Sequence, residues 1–301
     1  MRLTLLHVDD ALESQPDFIC ACKNADAELI WVTQEASAIR LWGKQQELDD
    51  FCEALVKQLS GDPAEPRLTF MGSGDFHHIT AFLVAFALEN QTAPITLIHF
   101  DNHNRALEFR KIEKIITLGV CSHDLKRPEW KSANLTPLSQ GLLELYPYDH
   151  ASSRVRRDYG SGASFEQKSG ALHWKTIRRM GEQNFIEYLL SRIKTKSVYL
   201  TIDKDVLARE DAITNWDQGS MRMPYLLSLV KEIGKRHAVI EADVTGDYSI
   251  PRYSGDLWTR LCKHAEIFVD QPRGKPDHAQ AVNINSAANH ALLEVLSEVM
   301  A

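Results

Sequence analysis

Hydrophobic and polar positions along this 301-residue chain alternate between two spacings. Short apolar runs rich in β-branched residues predict strands, at residues 3–8, 29–32, 68–71, 95–100, 115–120, 198–202 and 238–242. Longer stretches with an apolar residue every three or four positions predict helices, at residues 48–59, 79–88, 185–193, 224–233 and 287–300. Strands that alternate with helices predict a mainly parallel sheet covered on both faces, which is a three-layer α/β/α fold.

One stretch departs from this alternation. Residues 146–170 are rich in Ser, Gly, Asp and Arg and have no sustained apolar period. A loop of this length is either an active-site cover or a surface excursion, and both interpretations stay open. Since the chain shows no internal repeat and no low-complexity linker, residues 1–301 are predicted to form one α/β domain.

Acidic and histidine side chains follow three of the predicted strands in short clusters. The clusters read Asp75-Phe76-His77-His78, Asp101-Asn102-His103 and Asp203-Lys204-Asp205. Ligands bind at the carboxyl ends of the strands in open α/β sheets, so we expect the three clusters to meet there. Carboxylates and imidazoles together are typical ligands of divalent cations. The clusters are therefore the candidate for a metal site.

Each cluster taken alone has an ordinary explanation. A single Asp-x-His or Asp-x-Asp is common as a turn or a helix cap, and a histidine at a helix start is often merely packed. The joint occurrence of the three clusters at strand ends is what favours a metal site. Lys204 is predicted to point away from Asp203 and Asp205 and to form a structural ion pair.

Composition and charge indicate an ordinary soluble enzyme. The chain is 44% hydrophobic and 25% charged, and its net charge is -7 with Lys and Arg scattered along it. We therefore expect no nucleic-acid partner and no acidic membrane partner. The five cysteines lack the paired spacing of zinc ribbons or disulfide frameworks, which predicts reduced thiols in a cytoplasmic protein. The apolar start of the chain is too short for a signal peptide, and no run reaches the length of a membrane span.

The motifs around the clusters resemble those of the ureohydrolases, the family of arginase, agmatinase and formiminoglutamase, with histone deacetylases as distant relatives. The metal motifs of that family read Gly-Gly-Asp-His, Asp-x-His-x-Asp and Ser-x-Asp-x-Asp. Here Gly74-Asp75-Phe76-His77, Asp101-Asn102-His103-Asn104-Arg105 and Thr201-Ile202-Asp203-Lys204-Asp205 stand in the same order. The resemblance spans roughly residues 68–249 and implies the arginase/deacetylase-like three-layer fold.

Carried over residue by residue, the resemblance implies five metal ligands, which are His77, Asp101, His103, Asp203 and Asp205. Asp101 and Asp203 would bridge two manganese ions in a standard member. His103 and Asp205 would complete the shell of one ion, and His77 that of the other. Arg105, however, stands where the second ion needs an aspartate, and a guanidinium cannot ligate a cation. We therefore predict one ion rather than two, with manganese preferred and zinc or iron as alternatives.

Two further features concern the reaction. Gly246 falls where guanidine-hydrolysing members carry a glutamate, and Asp247, one place later, is the remaining candidate for that carboxylate. The tandem His77-His78 is similar to a deacetylase element in which two histidines work as acid and base beside a single metal. The resemblance thus implies His77, His78 and Asp247 as catalytic residues.

These implications lead to one leading hypothesis and two alternatives. The leading hypothesis is a metal-dependent hydrolase of a linear amide or amidine C–N bond, with a small-molecule substrate and a homo-oligomer as a possible assembly. The first alternative is a deacetylase-like amidohydrolase with a single zinc. The second is a non-catalytic relative that keeps the fold and binds a small molecule or a partner, which Arg105 favours.

Overall fold

A parallel sheet is the framework of the molecule. The computed structural model describes residues 1–62, 65–88, 93, 95–102, 177, 179–193 and 195–301, together with the backbone of 143–146 and 172–173. The strands are β1 (Arg2–His7), β2 (Glu28–Trp31), β3 (Arg67–Ser73), β4 (Ile95–Phe100), β5 (Leu143–Tyr146), β6 (Leu172–His173), β7 (Ser197–Asp203) and β8 (Ala238–Asp247). They form one sheet in the order β2-β1-β3-β8-β7-β4-β5-β6, and every neighbouring pair is parallel.

Helices connect the strands and cover the sheet. Those within the described residues are α1 (Pro16–Asn24), α2 (Thr33–Ile39), α3 (Gln45–Gln58), α4 (Thr80–Leu88), α5 (Glu182–Arg192), α6 (Met223–Arg236), α7 (Leu257–Asp270) and α8 (His278–Val299). Two short 3-10 turns, Gly74–Ile79 and Lys204–Val206, directly follow β3 and β7. Both turns carry residues of the predicted clusters.

Side chains of the sheet alternate between two apolar cores. On β1, Leu5 belongs to one core and Leu6 to the other, as the two-residue period of a strand requires. Helices α1, α5, α6 and α8 contribute to the first core, and α2, α3 and α4 contribute to the second. The predicted three-layer α/β/α fold is confirmed by this arrangement.

The predicted elements agree best where a strand is buried on both faces. The strand expected at 95–100 coincides with β4, and the one expected at 198–202 lies inside β7. The strand expected at 115–120 and nearly all of the stretch 146–170 fall outside the described residues. The one-domain organisation stays a prediction. Within the described part of the chain, no helix has the length and apolarity needed to cross a bilayer.

The strand order brings four carboxyl ends together. β8 lies between β3 and β7, and β7 lies between β8 and β4. Because these strands are parallel, their carboxyl ends lie at one edge of the sheet, where ligands bind in α/β folds. The segments that follow β3, β4 and β7 at this edge carry the three predicted clusters.

A buried ion pair joins the ends of β7 and β8 at this edge. The ammonium of Lys204, in the turn after β7, contacts the carboxylate of Asp247 at the end of β8, and both side chains are buried. Lys204 also donates a hydrogen bond of 2.6 Å to Oδ1 of Asn289 on α8. Burial lowers the pKa of Lys204, while the charge of Asp247 opposes that shift. The predicted structural ion pair of Lys204 is confirmed.

Candidate metal centre

His77, Asp101 and Asp203 meet at the carboxyl edge of the sheet. Nδ1 of His77 lies 3.0 Å from Oδ2 of Asp101 and 3.3 Å from Oδ2 of Asp203. All three side chains are buried. Side chains from three separate parts of the sequence therefore share one site.

His99 is a fourth member of this cluster, and none of the motifs includes it. Its Nε2 lies 3.2 Å from Oδ2 of Asp101, and its ring centroid lies 4.8 Å from that of His77. The candidate ligand atoms of His77, His99 and Asp101 all lie within 4.8 Å of one another. The sequence did hold a signal, because a histidine interrupts the apolar run of β4 two residues before Asp101. That spacing puts both side chains on the same face.

Asp205 borders the cluster from the turn after β7. Its Oδ1 accepts a hydrogen bond of 2.8 Å from the backbone N–H of Asn102, next to Asp101. Its own N–H donates a hydrogen bond of 3.0 Å to Oδ1 of Asp203. These two bonds join the ends of β4 and β7, so Asp205 lies beside both carboxylates of the cluster.

Two glycines make room for the carboxylate of Asp203. A Cβ at Gly74 would lie 2.8 Å from Oδ2 of Asp203. Gly246 has a φ of +97°, and a Cβ there would fall on Oδ1 of Asp203 and 2.5 Å from the backbone nitrogen of Lys204. The backbone therefore approaches Asp203 from both sides, at distances that only glycine allows.

A chain of hydrogen bonds lies behind His77. Nε2 of His77 is 2.8 Å from Oγ1 of Thr201, which donates a hydrogen bond of 2.8 Å to Oδ1 of Asp243 on β8. Thr80 and Tyr199 donate to the same carboxylate over 2.9 Å and 2.7 Å. Burial raises the pKa of Asp243, and the three hydroxyl donors oppose that shift.

This chain orients the ring of His77. Because the hydroxyl of Thr201 gives its proton to Asp243, its oxygen must accept from His77, which places a proton on Nε2. Nδ1 is then the nitrogen that faces Asp101 and Asp203. Metal-binding histidines in proteins are held in the same way, with the second ring nitrogen bonded to a fixed acceptor.

The electrostatic field at Nδ1 of His77 favours positive charge. Burial alone would disfavour an imidazolium, but hydrogen bonds to Asp101 and Asp203 and their charges raise the pKa of His77 to about 10. The same carboxylates would attract a divalent cation to this position. Imidazole nitrogens together with carboxylate oxygens suit manganese, zinc or iron, so the donor set fits the predicted ion.

The other predicted site residues lie outside this contact group. His78 is half-buried in the same 3-10 turn as His77. Asp247 is at the same edge, but its carboxylate is engaged by Lys204 and by Nδ2 of Asn289 at 3.2 Å. His103 and Arg105 fall outside the described residues.

Asp75, from the first sequence cluster, contacts a different set of groups. Its Oδ2 accepts a hydrogen bond of 2.7 Å from Nε of Arg40, and its Oδ1 accepts from Trp216 at 2.9 Å and Gln271 at 2.8 Å. The guanidinium of Arg40 is buried and also bonds to Oγ of Ser249 at 2.7 Å. Asp75 therefore anchors the turn that carries His77 to three other segments.

Thr201→Val is expected to weaken the candidate centre without touching a ligand. The change removes the hydroxyl between His77 and Asp243, which leaves two buried polar groups short of a partner at a cost of about 1–3 kcal/mol in unfolding free energy. We expect manganese affinity to fall by about 10–100-fold, as for other residues that orient ligands. Urea unfolding and manganese titration measure the two effects.

Thr201→Ser is the matched control, because it keeps the hydroxyl and loses one methyl group. Near-normal manganese affinity is expected for this variant. If Thr201→Val binds manganese as tightly as the unmodified protein, the hydrogen-bond chain behind His77 does not support the site.

Comparison with known proteins gives a weak match in sequence and a clear match in fold. No family model matches the chain. A curated protein of Thermotoga maritima, described as uncharacterized, is 28% identical over 185 residues. That match covers 62% of this chain and 60% of the relative, so the chain spans less than two thirds of the relative's length.

Solved structures with the same fold include two arginases and an amidino hydrolase. The arginase of Bacillus caldovelox has a TM-score of 0.58 at 9% identity over 97% of each chain. The arginase of Bacillus subtilis has a TM-score of 0.54 at 10% identity, over 100% of this chain and 98% of that one. The proclavaminate amidino hydrolase of Streptomyces clavuligerus has a TM-score of 0.50 at 13% identity, over 85% of this chain and 71% of that one. This chain therefore has the fold of the arginase/ureohydrolase family.

Proposed function

We propose that the protein is a metal-dependent hydrolase that cleaves a linear amide or amidine C–N bond of a small molecule. The observation that carries this proposal is the convergence of His77, Asp101 and Asp203 at the carboxyl edge of the sheet. The fold supports the same class of reaction, since proteins named as arginases and as an amidino hydrolase share it.

The proposed cofactor is one divalent ion, manganese first, with zinc or iron as alternatives. His77, His99, Asp101 and Asp203 would hold it, the predicted ligands Asp205 and His103 would border it, and a coordination position would stay open for the substrate. His99 lies outside the family motifs and would be an additional ligand of this ion. When bound, the ion would supply Lewis acidity that polarises the C=O or C=N group under attack.

The two tandem histidines receive different roles. Both ring nitrogens of His77 are engaged, Nδ1 by carboxylates and Nε2 by Thr201, so His77 is assigned as a ligand. Proton transfer to the leaving nitrogen is assigned to His78, the neighbour in the same turn, whose two ring nitrogens are buried beside the site. Asp247 is assigned a positioning role, because Lys204 and Asn289 already bind its carboxylate.

The same contacts bear on the substrate. A guanidinium needs a carboxylate free to form paired hydrogen bonds with it. Gly246 supplies none, and the carboxylate of Asp247 is held by the ammonium of Lys204. The proposed substrate is therefore an amide, or an amidine with fewer N–H donors than a guanidinium, rather than arginine.

Metal content and metal-dependent turnover test the proposal together. Protein purified without chelators is expected to contain about one ion per chain by elemental analysis. Dialysis against a chelator should remove both the ion and the hydrolysis of acetylated amines or formimino compounds, and added manganese should restore both. Guanidines serve as the matched substrate series and should be poor substrates.

Two results would contradict the proposal. Failure to take up manganese, zinc or iron would favour a non-catalytic relative. Tight binding of one ion without turnover of any C–N substrate would support the metal centre and reject the proposed hydrolase activity.

A further inference from the structure

The outer face of α7 is a stripe of exposed apolar side chains. Leu257 is 75% exposed, Trp258 74%, Leu261 53%, Phe268 62% and Val269 53%. At 100° per residue these five positions fall within one side of the helix, and Ala265, which is also exposed, lies between them. These six residues are named the α7 stripe.

The opposite face of α7 contacts the protein mainly through polar side chains, beside the half-buried Cys262 and Ile267. Thr259 and Lys263 are buried, and the ammonium of Lys263 donates to the backbone carbonyl of Ala38 and lies 4.9 Å from the ring centre of Trp42. Glu266 accepts a hydrogen bond of 2.7 Å from the indole N–H of Trp42. A helix that only covers a core turns its apolar side inward. The reversed arrangement of α7 leaves its apolar side uncovered by the residues that the structure describes.

The stripe has the size of the centre of a stable interface. Two aromatic and three aliphatic side chains at these exposures amount to roughly 600 Å² per chain. That area is at the upper limit of the largest apolar patch on a typical monomer, about 300–600 Å². It also accounts for most of the roughly 800 Å² that each partner buries in a standard protein–protein interface.

The order of residues along the stripe is self-complementary. Large apolar residues lie in pairs at its two ends, Leu257 and Trp258 at one and Phe268 and Val269 at the other, with residue 263 at the midpoint. If two such helices pack antiparallel about that midpoint, Leu257 of one copy lies opposite Phe268 of the other, and Trp258 lies opposite Val269. A two-fold interface requires this kind of self-matching, in which each surface binds its own copy.

We propose that the α7 stripe is the interface of a two-fold homodimer, with the α7 helices of two copies packed antiparallel. A lipid surface is the less favourable occupant, because the chain carries a net charge of -7 and anionic bilayers repel it. This proposal does not depend on the metal centre or on the proposed reaction.

Sedimentation velocity of the full chain over a range of concentrations is the first test. The unmodified protein should sediment with twice the monomer mass of 34.1 kDa at concentrations of about 10–100 µM. Leu261→Glu and, as a second variant, Trp258→Glu should raise the dissociation constant by at least about ten-fold, because each places a charge among the apolar side chains that the dimer buries. The matched control is Val56→Glu on α3, which adds the same charge at a residue 50% exposed and outside the stripe.

A charge-pair test examines the antiparallel register. Leu257→Glu alone and Phe268→Lys alone should each dissociate the dimer. The double variant should restore the dimer, because the introduced carboxylate of one copy meets the introduced ammonium of the other. The two positions lie 11 residues apart within one helix, so the two charges cannot pair within one copy.

Several outcomes would overturn the proposal. They are a monomeric unmodified protein at about 100 µM, a dimer that survives both Leu261→Glu and Trp258→Glu, and a dimer that Val56→Glu also disrupts. A double variant that stays monomeric would reject the antiparallel register. Flotation of the unmodified protein with phosphatidylserine vesicles, lost in Leu261→Glu, would assign the stripe to a membrane instead. Thermal melts of each variant, expected to match the unmodified chain in monomeric form, show that the changes act on assembly and not on folding.

Discussion

Asp101→Asn is expected to abolish divalent-ion binding. The side chain is fully buried, and its Oδ2 lies 3.0 Å from Nδ1 of His77 and 3.2 Å from Nε2 of His99. Of the four residues assigned to the ion, it is thus the one that touches both imidazoles. Asparagine keeps the shape but removes the negative charge and one acceptor oxygen. We expect manganese affinity to fall by more than the roughly 10–100-fold that loss of an outer-shell partner costs.

The loss is measurable without a known substrate. A ligand present at 100 times its dissociation constant stabilises a folded protein by about 2.7 kcal/mol. Saturating manganese should therefore raise the melting temperature of the unmodified protein by several degrees and leave that of Asp101→Asn unchanged. Asp217→Asn is the matched control, because Asp217 is exposed near the same edge, where its backbone oxygen accepts from Asn102. An equal response of both variants to manganese would place the ion elsewhere.

The layered fold could be predicted because its signal is local. A strand buried on both faces reads as an unbroken apolar run, as in Ile95–Phe100, and needs no partner to be recognised. The position of Asp101 and Asp203 directly after such runs is enough to place them at the carboxyl edge of a parallel sheet. Their convergence with His77 follows from that placement.

The sequence hides the role of His99 for the same reason that it reveals strand β4. An apolar run that is buried on both faces hides which residues share a face, so a single histidine within it reads as a packing residue. Its position two residues before Asp101 carried the information, but only the register of β4 against β7 shows that this face meets His77. His99 lies opposite Thr201 in that register.

Contacts between distant segments could not be read from the sequence. Asp75 precedes His77 by two residues and was grouped with it, yet it pairs with Arg40, which lies 35 residues earlier. The sequence offers Asp247 as a catalytic carboxylate, and nothing in the sequence indicates that two distant residues, Lys204 and Asn289, bind it. No local pattern announces either pairing, since each depends on how helices and turns pack over the sheet.

Helix α7 was absent from the prediction although its sequence has apolar residues at helical spacing. The expectation that apolar residues face a core gives no place to a helix whose buried side carries Thr259 and Lys263. Its amphipathic pattern is regular but reversed with respect to the sheet. The amphipathic pattern of α7 does not by itself tell which side of the helix is exposed, and the structure shows that it is the apolar side.

Gly246→Ala is expected to lower the free energy of unfolding by about 2–5 kcal/mol. The φ of +97° lies in the left-handed region, which costs an L-residue roughly 1–2 kcal/mol. The added Cβ would also fall on Oδ1 of Asp203 and lie 2.5 Å from the backbone nitrogen of Lys204. Asp203 and Lys204 are both buried, and overpacking of a buried position typically costs a further 1–3 kcal/mol, roughly.

Two other glycines separate these contributions in urea unfolding. Gly181 has a φ of +79° with nothing within 4 Å of a built Cβ, so Gly181→Ala should show the conformational cost alone. Gly274 has neither a positive φ nor a neighbour within 4 Å, so Gly274→Ala should be close to neutral. Because Gly181→Ala carries a conformational cost without a clash, a larger loss in Gly246→Ala would report the displacement of Asp203.

Manganese titration of the same three variants connects the strain to the site. Displacement of the Asp203 carboxylate should weaken manganese binding in Gly246→Ala and leave it intact in the two controls. If Gly246→Ala and Gly181→Ala lose equal stability and manganese affinity is unchanged, the Asp203 carboxylate moves aside without a cost in stability or in metal binding. Since any side chain at Gly246 meets this carboxylate, Gly246→Glu is expected to lose stability as Gly246→Ala does, rather than to place a free carboxylate at this edge. The glycine and the position of Asp203 therefore depend on each other.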